Sequence, residues 1–303
     1  MRQHPRVSTW AAIGAAFVTA ILSFPASSGT ARAADPPKPA ETKPAEAKPA
    51  PAPSPFKDKN LEAAIRNVLK HETKVELTDE KLQNVYLLEA TGKDISDLSG
   101  LEKCKNLALI KLNKNKIVDL KPLKDLANLQ SLDLSDNAIA DIAPLAGLKG
   151  LQYIELSGNK IEKLDALSGL TSLTALYLGN NAIKDLAPLA GLTKLSSLSL
   201  GKNQVKDLAP LAKVVNISVL DLRDNQVEDL GPLGKQTDLK LLLVERNKIK
   251  DFKPLIEAAK ADSAGPKRFA PYLRLYLSGN PLPDGDKAKQ IEAIKATGVR
   301  IEG

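Results

Sequence analysis

The chain has 303 residues with 43% hydrophobic but only 4% aromatic content, so its core must be stacked from aliphatic side chains instead of large rings. Its formal charge is +7, yet lysine and aspartate alternate with no dense basic block, which argues against a nucleic-acid partner. One cysteine and two histidines forbid an intramolecular disulfide and leave little for catalysis or zinc.

At the N-terminus, Arg2 and Arg6 precede an apolar run from Trp10 to Phe24, and Ala31-Arg32-Ala33 offers a cleavage site, so a signal peptide is expected over 1–33. The run is short beside the roughly 20 apolar residues of a membrane helix, and an uncleaved anchor is the alternative. Cleavage would remove Arg2, Arg6 and Arg32 and lower the charge from +7 to +4. The expected location is the periplasm, the cell surface or the extracellular space. Residues 34–56 read as a Pro/Ala/Lys-rich disordered linker: eight prolines between Asp35 and Pro55 favour an extended stalk.

A helical cap is expected over 57–84. Asn60 to Leu69 places Leu61, Ala64, Ile65, Val68 and Leu69 on one helical face, and Thr78-Asp79-Glu80 marks a second helix start. From Val85 the sequence repeats every 22 residues as Leu-x-x-Leu-x-Leu-x-x-Asn-x-Ile-x-Asp-Leu-x-Pro-Leu-x-x-Leu-x-x, with starts at Val85, Leu107, Leu129, Leu151, Leu173, Leu195, Ile217 and Leu239. A ninth, partial unit starts at Tyr272, after an insertion at 261–271. The repeats therefore run over 85–282, and 283–303 reads as a closing helix, Asp286 to Thr297, with Ile291 and Ile294 inward and Gly298 ending it. The insertion is expected to be a loop, either binding or merely bridging.

This is the leucine-rich-repeat template, in which one unit supplies one short strand and buries its leucines only when neighbours stack on it. Alternation sends Leu132 and Leu134 inward and Asp133 outward. The asparagine at the ninth position, at Asn115, Asn137, Asn159, Asn181, Asn203, Asn225, Asn247 and Asn280, is read as a structural ladder that satisfies turn backbone groups. Eleven residues containing a proline leave room only for short 3₁₀ turns. The expected fold is an α/β solenoid, a right-handed arc with a parallel sheet on the concave face, 3₁₀ turns on the convex face and helical caps.

The 22-residue unit, its Asn-x-Ile-x-Asp-Leu-x-Pro-Leu segment, and the lead-in Leu61-Glu62-Ala63-Ala64-Ile65 to Asp97-Leu98-Ser99-Gly100-Leu101-Glu102-Lys103-Cys104 resemble the internalin-type bacterial leucine-rich repeats. The resemblance covers 57 to about 282 and implies a non-enzymatic protein that recognises protein partners on the concave sheet. It departs from the family pattern, with no Ig-like domain, wall-sorting signal or surface-binding repeats seen after the array, so the family's host-adhesion role is not expected here.

Catalytic readings fail for want of partners. His71 falls in the front cap and Cys104 at an inward position, where a small hydrophobe fits better than a reactive thiol. Asp284-Gly285-Asp286 lacks the further oxygen ligands of a calcium loop and reads as helix capping. No cofactor or metal is expected.

Positions three, five, seven and eight of each unit face the concave side. Two groups there have the composition of binding hot spots: Tyr153 and Tyr177 with Glu155, and an exposed apolar set of Val219, Leu241 and Leu243 beside Asp221, Arg223, Arg246, Arg274 and Tyr276. The expected function is a monomeric, non-enzymatic protein-binding module. The alternative is a structural envelope component binding wall glycan, which three tyrosines on nine strands support weakly.

Overall fold

The computed structural model describes residues 54–302. The expected signal peptide and nearly all of the expected linker lie outside the described residues. No helix among the described residues is long and apolar enough to cross a membrane.

Helix α1 (Lys59–Leu69) buries Leu61 and Ile65, and α2 (Asp79–Leu82) follows Thr78. Ten three-residue strands then form one sheet: β1 (Leu87–Glu89), β2 (Leu109–Lys111), β3 (Ser131–Asp133), β4 (Tyr153–Glu155), β5 (Ala175–Tyr177), β6 (Ser197–Ser199), β7 (Val219–Asp221), β8 (Leu241–Leu243), β9 (Arg274–Tyr276) and β10 (Arg300–Glu302). All pair in parallel and in chain order, with equivalent repeat positions opposite one another, as in Leu88↔Ile110 and Ile110↔Leu132. The middle residue of each strand from β1 to β9 points inward, and Leu88, Ile110, Leu132, Ile154, Leu176, Leu198, Leu220, Leu242 and Leu275 are at most 1% exposed.

Short 3₁₀ turns return the chain, as expected, at Lys121–Leu123, Ala143–Gly147, Ala187–Leu189, Ala209–Lys213 and Gly231–Lys235, each with its proline in the first turn where a missing N–H costs nothing. One apolar cluster runs continuously from Phe56 to Val299. Each fully buried leucine in it contributes about 1.5–3 kcal/mol.

Phe56, the last residue of the expected linker, is 5% exposed and closes the front of the core. It packs over Gly100, where a Cβ would come within 2.6 Å of its ring and where φ is +103°. Asp58 fastens the same corner. Its Oδ1 accepts the N–H groups of Asn60 and Leu61 at the start of α1, while its Oδ2 accepts those of Ser96 and Asp97. These backbone bonds hold its carboxyl below the usual range, although burial alone would raise it.

The rear departs from the sequence expectation in four places. First, the return after β8 is an α-helix, α3 (Lys253–Ala264), because the enlarged unit has room for full turns after Pro254. Second, the insertion is not a free loop. Residues 261–264 finish α3, and Asp262, 5% exposed, accepts the N–H groups of Arg268, Phe269 and Ala270 at 2.8, 3.0 and 2.9 Å. Phe269 and Ala270 are buried, which anchors the end of the segment in the core.

Third, the closing helix α4 spans Asp284–Lys295, two residues earlier than expected at each end, with Pro283 at its N-cap. Gly298, φ +94°, makes the turn out of it. Ile294 and Gln290 face inward, whereas Ile291 is only half-buried. Gln290 Oε1 accepts the Phe252 N–H at 2.7 Å, which fixes the helix against the last full unit. Fourth, the chain then adds β10 beside β9, a strand the repeat pattern did not signal.

Candidate functional site

Each strand from β2 to β9 is followed by an inward residue, two outward ones and the asparagine. The eighth residue of every unit adopts positive φ, whether it is Gly92, Lys114, Asp136, Gly158, Asn180, Lys202, Asp224, Arg246 or Gly279. A non-glycine residue enters this region at a cost, and the following asparagine repays it with hydrogen bonds.

In Asn203 the Nδ2 donates to Leu178 O and Leu200 O, both at 2.9 Å, and Oδ1 accepts Ile183 N–H at 3.0 Å. Asn115, Asn137, Asn159, Asn181, Asn225, Asn247 and Asn280 repeat this pattern, joining each unit to the one before it. The ladder is fixed scaffolding beneath one rim of the concave face.

On that face, the outward residues of β4 and β5 converge. The rings of Tyr153 and Tyr177 lie 5.6 Å apart, tilted by 48°. Glu155 stands between Asp133 and Tyr177 in the row of fifth positions. Burial pushes its carboxyl up to about 7, with Asp133 and Asp136 adding to the rise against a 2.8 Å bond from Ser157 N–H. Burial likewise raises both tyrosine hydroxyls.

The second group spans β7 to β9, with Ser197 and Ser199 of β6 separating it from the first. Here exposure differs from the expectation. Leu243 is 5% exposed and Asp221 5%, because each lies in a row between neighbours on adjoining strands; Tyr177 is 7% exposed for the same reason. Val219 and Leu241 are partly exposed and are the apolar surface this group presents.

Three arginines frame it, each held by a carboxylate. Arg223 forms a two-pronged pair with Asp221 at 2.9 and 2.8 Å. Arg246 pairs with Asp224 at 2.5 and 2.8 Å, across one unit. Arg274 bonds Glu302 at 3.1 Å and the Tyr276 hydroxyl at 2.8 Å, its guanidinium 5.9 Å from that ring's centre.

Glu302 escapes sequence reasoning because β10 lies beyond the repeat pattern, although the alternation Arg300-Ile301-Glu302 is a strand signal. So does Gly201, whose bare Cα leaves the Asp221 carboxylate 3.2 Å from where a Cβ would stand. Cys104 is fully buried and its thiol is pushed up to about 12, so it packs as a small hydrophobe. Among the described residues no cluster of three or more His, Cys, Asp or Glu is placed to hold a metal.

Residues 127–169 and 171–213 match the family described as Leucine Rich repeats (2 copies). Internalin C2 of Listeria monocytogenes superposes with TM-score 0.65 at 33% identity, covering 69% of this chain and 95% of that one. The chain belongs to the internalin-type leucine-rich-repeat proteins. A similar fold recurs at lower identity. A leucine-rich-repeat protein of Leptospira interrogans aligns at 23% identity and TM-score 0.59, over 67% of this chain and half (50%) of its own. The plant peptide hormone receptor RGFR1, in complex with RGF2, aligns at 19% identity and TM-score 0.50, over 60% of this chain and 30% of its own. No curated protein matches the chain in sequence.

Proposed function

We propose that this internalin-type chain is an exported, non-enzymatic, monomeric module that binds a protein partner on the concave sheet between β4 and β9. The observation that carries the reading is the frame of three carboxylate-held arginines, Arg223, Arg246 and Arg274, around the partly exposed Val219 and Leu241. Long side chains already fixed in the free protein lose little entropy when a partner docks, and Arg and Tyr around an apolar centre make up a typical hot spot. Because each guanidinium already faces a carboxylate, the partner's contribution is an apolar side chain and hydrogen-bond acceptors, not a strong opposite charge. At the level of the fold, the plant receptor in complex with RGF2 supports a partner on such a scaffold. Export rests on the N-terminal Arg2, Arg6 and Trp10–Phe24 pattern.

The test is affinity capture from envelope extract with the parent chain and a Leu241→Glu, Arg274→Glu variant whose circular dichroism and urea midpoint match the parent. Proteins held by the parent should be lost by the variant. Equal capture by both would overturn the assignment.

A further inference from the structure

Where the chain returns from its 3₁₀ turns to begin the early strands, it leaves an open groove of about 450 Å³. The groove is lined by Tyr86, Asn106, Asn128, Gln130 and Gln152 around small residues that include Gly150. It lies outside the concave patches described above. None of its lining residues is charged, in a chain whose composition is 26% charged. The same repeat positions further along carry Lys194, Asp238 and Lys240, so neutrality is a property of this stretch and not of the repeat.

The polar groups are prepared for a ligand. Asn106 Nδ2 donates to Gln83 O at 2.9 Å and Asn128 Nδ2 to Lys105 O at 3.0 Å, which fixes both amides and leaves each Oδ1 as an acceptor. Gln130 and Gln152 are exposed and their amides make no hydrogen bond among the described residues. They immediately precede β3 and β4, neighbouring strands about 4.8 Å apart. Tyr86 is 51% exposed at one end.

Gly150 stands where Asn106 and Asn128 stand in earlier units, yet its backbone does not require glycine. An added Cβ would meet only Leu129 O at 3.4 Å and Ala127 O at 3.5 Å. Its missing side chain opens the groove.

We propose that this groove binds a neutral saccharide chain, with the C–H face of one sugar on the Tyr86 ring and its neighbours' hydroxyls on the four amides. Primary amides donate and accept, matching hydroxyls that do both, and an uncharged lining suits an uncharged ligand. A peptide added as a strand fits poorly. The backbone here is already paired: Tyr86 O takes the N–H groups of Ala108 and Leu109, Ala108 O those of Gln130 and Ser131, and Gln130 O those of Gln152 and Tyr153.

Calorimetric titration of the full chain with cellohexaose and with chitohexaose tests this, and separates plain hydroxyl from N-acetyl recognition. At least one should bind. Tyr86→Ala and Gly150→Gln should each weaken it about tenfold at unchanged urea midpoint, and Leu241→Glu should bind as the parent does. Should Gly150→Gln fail to fold, a Gln130→Ala, Gln152→Ala variant supplies the same loss. The proposal is overturned if neither sugar gives heat at millimolar concentration, if groove variants bind like the parent, or if only Leu241→Glu loses binding. A random peptide pool that binds through Tyr86 without any saccharide response overturns it too.

Discussion

Two rows of side chains run along the repeats, four residues apart in each unit, and they follow opposite rules. At the ninth position of the repeat, eight of the nine units carry asparagine and make equivalent bonds to neighbouring backbone. At the fifth position the row reads Glu89, Lys111, Asp133, Glu155, Tyr177, Ser199, Asp221, Leu243 and Tyr276, with no such rule. A position whose partner is the chain's own backbone is constrained to one answer. A position whose partner is another molecule, or solvent, is free to vary, and what gathers there is available for recognition.

The largest effect should come from breaking the constrained row. Asn203→Ala leaves Leu178 O, Leu200 O and Ile183 N–H without their side-chain partner at a site 8% exposed. At about 1–3 kcal/mol per unsatisfied buried group, the loss should reach about 3–5 kcal/mol. Urea denaturation should show it beside Ser199→Ala, in the variable row, which should cost less than about 0.5 kcal/mol. Similar midpoints for the two variants would remove the distinction.

A smaller effect is expected at the rear, where the repeat rule is suspended and a single side chain replaces it. Asp262 accepts three backbone N–H groups, which hold its carboxyl below the usual range although burial alone would raise it. Asp262→Ala should cost about 2–4 kcal/mol, and limited proteolysis should then cut between Gly265 and Pro271. The sign with pH follows. A carboxyl lowered in the fold stabilises above its unfolded value near 3.8 and loses that contribution as pH falls through the folded value. A parent and an Asp262→Asn variant with the same acid profile would contradict this.

The contrast between rows also explains what could be read from the sequence. Periodicity reports constraints that recur, so strand positions, inward leucines, 3₁₀ turns and the asparagine bonds were legible from Val85 onward. Features that occur once leave no period. Asp262 folding the insertion, Gln290 reaching Phe252, the α-helix after β8 and the tenth strand depend on contacts between particular residues distant in sequence. On the concave face the sequence identified which side chains share a side, but not their depth. Leu243 and Tyr177 alternate outward as expected yet are covered by the adjoining row, whereas Val219 and Leu241, one row over, stay partly open. Pairings such as Arg246 with Asp224 follow only once neighbouring units are set in register.

The smallest predicted effect tests whether the variable row is indifferent to stability or works against it. Glu155 is pushed up to about 7 chiefly by burial, with Asp133 and Asp136 adding like charge and Ser157 opposing. Its unfolded value is near 4.5, so between the two the folded chain holds a proton the unfolded chain has released. Stability must therefore fall as pH rises from about 4.5 through about 7, the reverse of the Asp262 case. Glu155→Gln keeps the shape without the ionisation. It should match the parent near pH 4.5 and exceed it by about 1–3 kcal/mol above pH 8. Parallel urea curves across that range would show Glu155 to be solvated and the row neutral. A widening gap would mean that this face keeps an ionised carboxylate beside two tyrosines at a cost to the fold, and residues that oppose stability at one place on an otherwise regular scaffold are those retained for recognition.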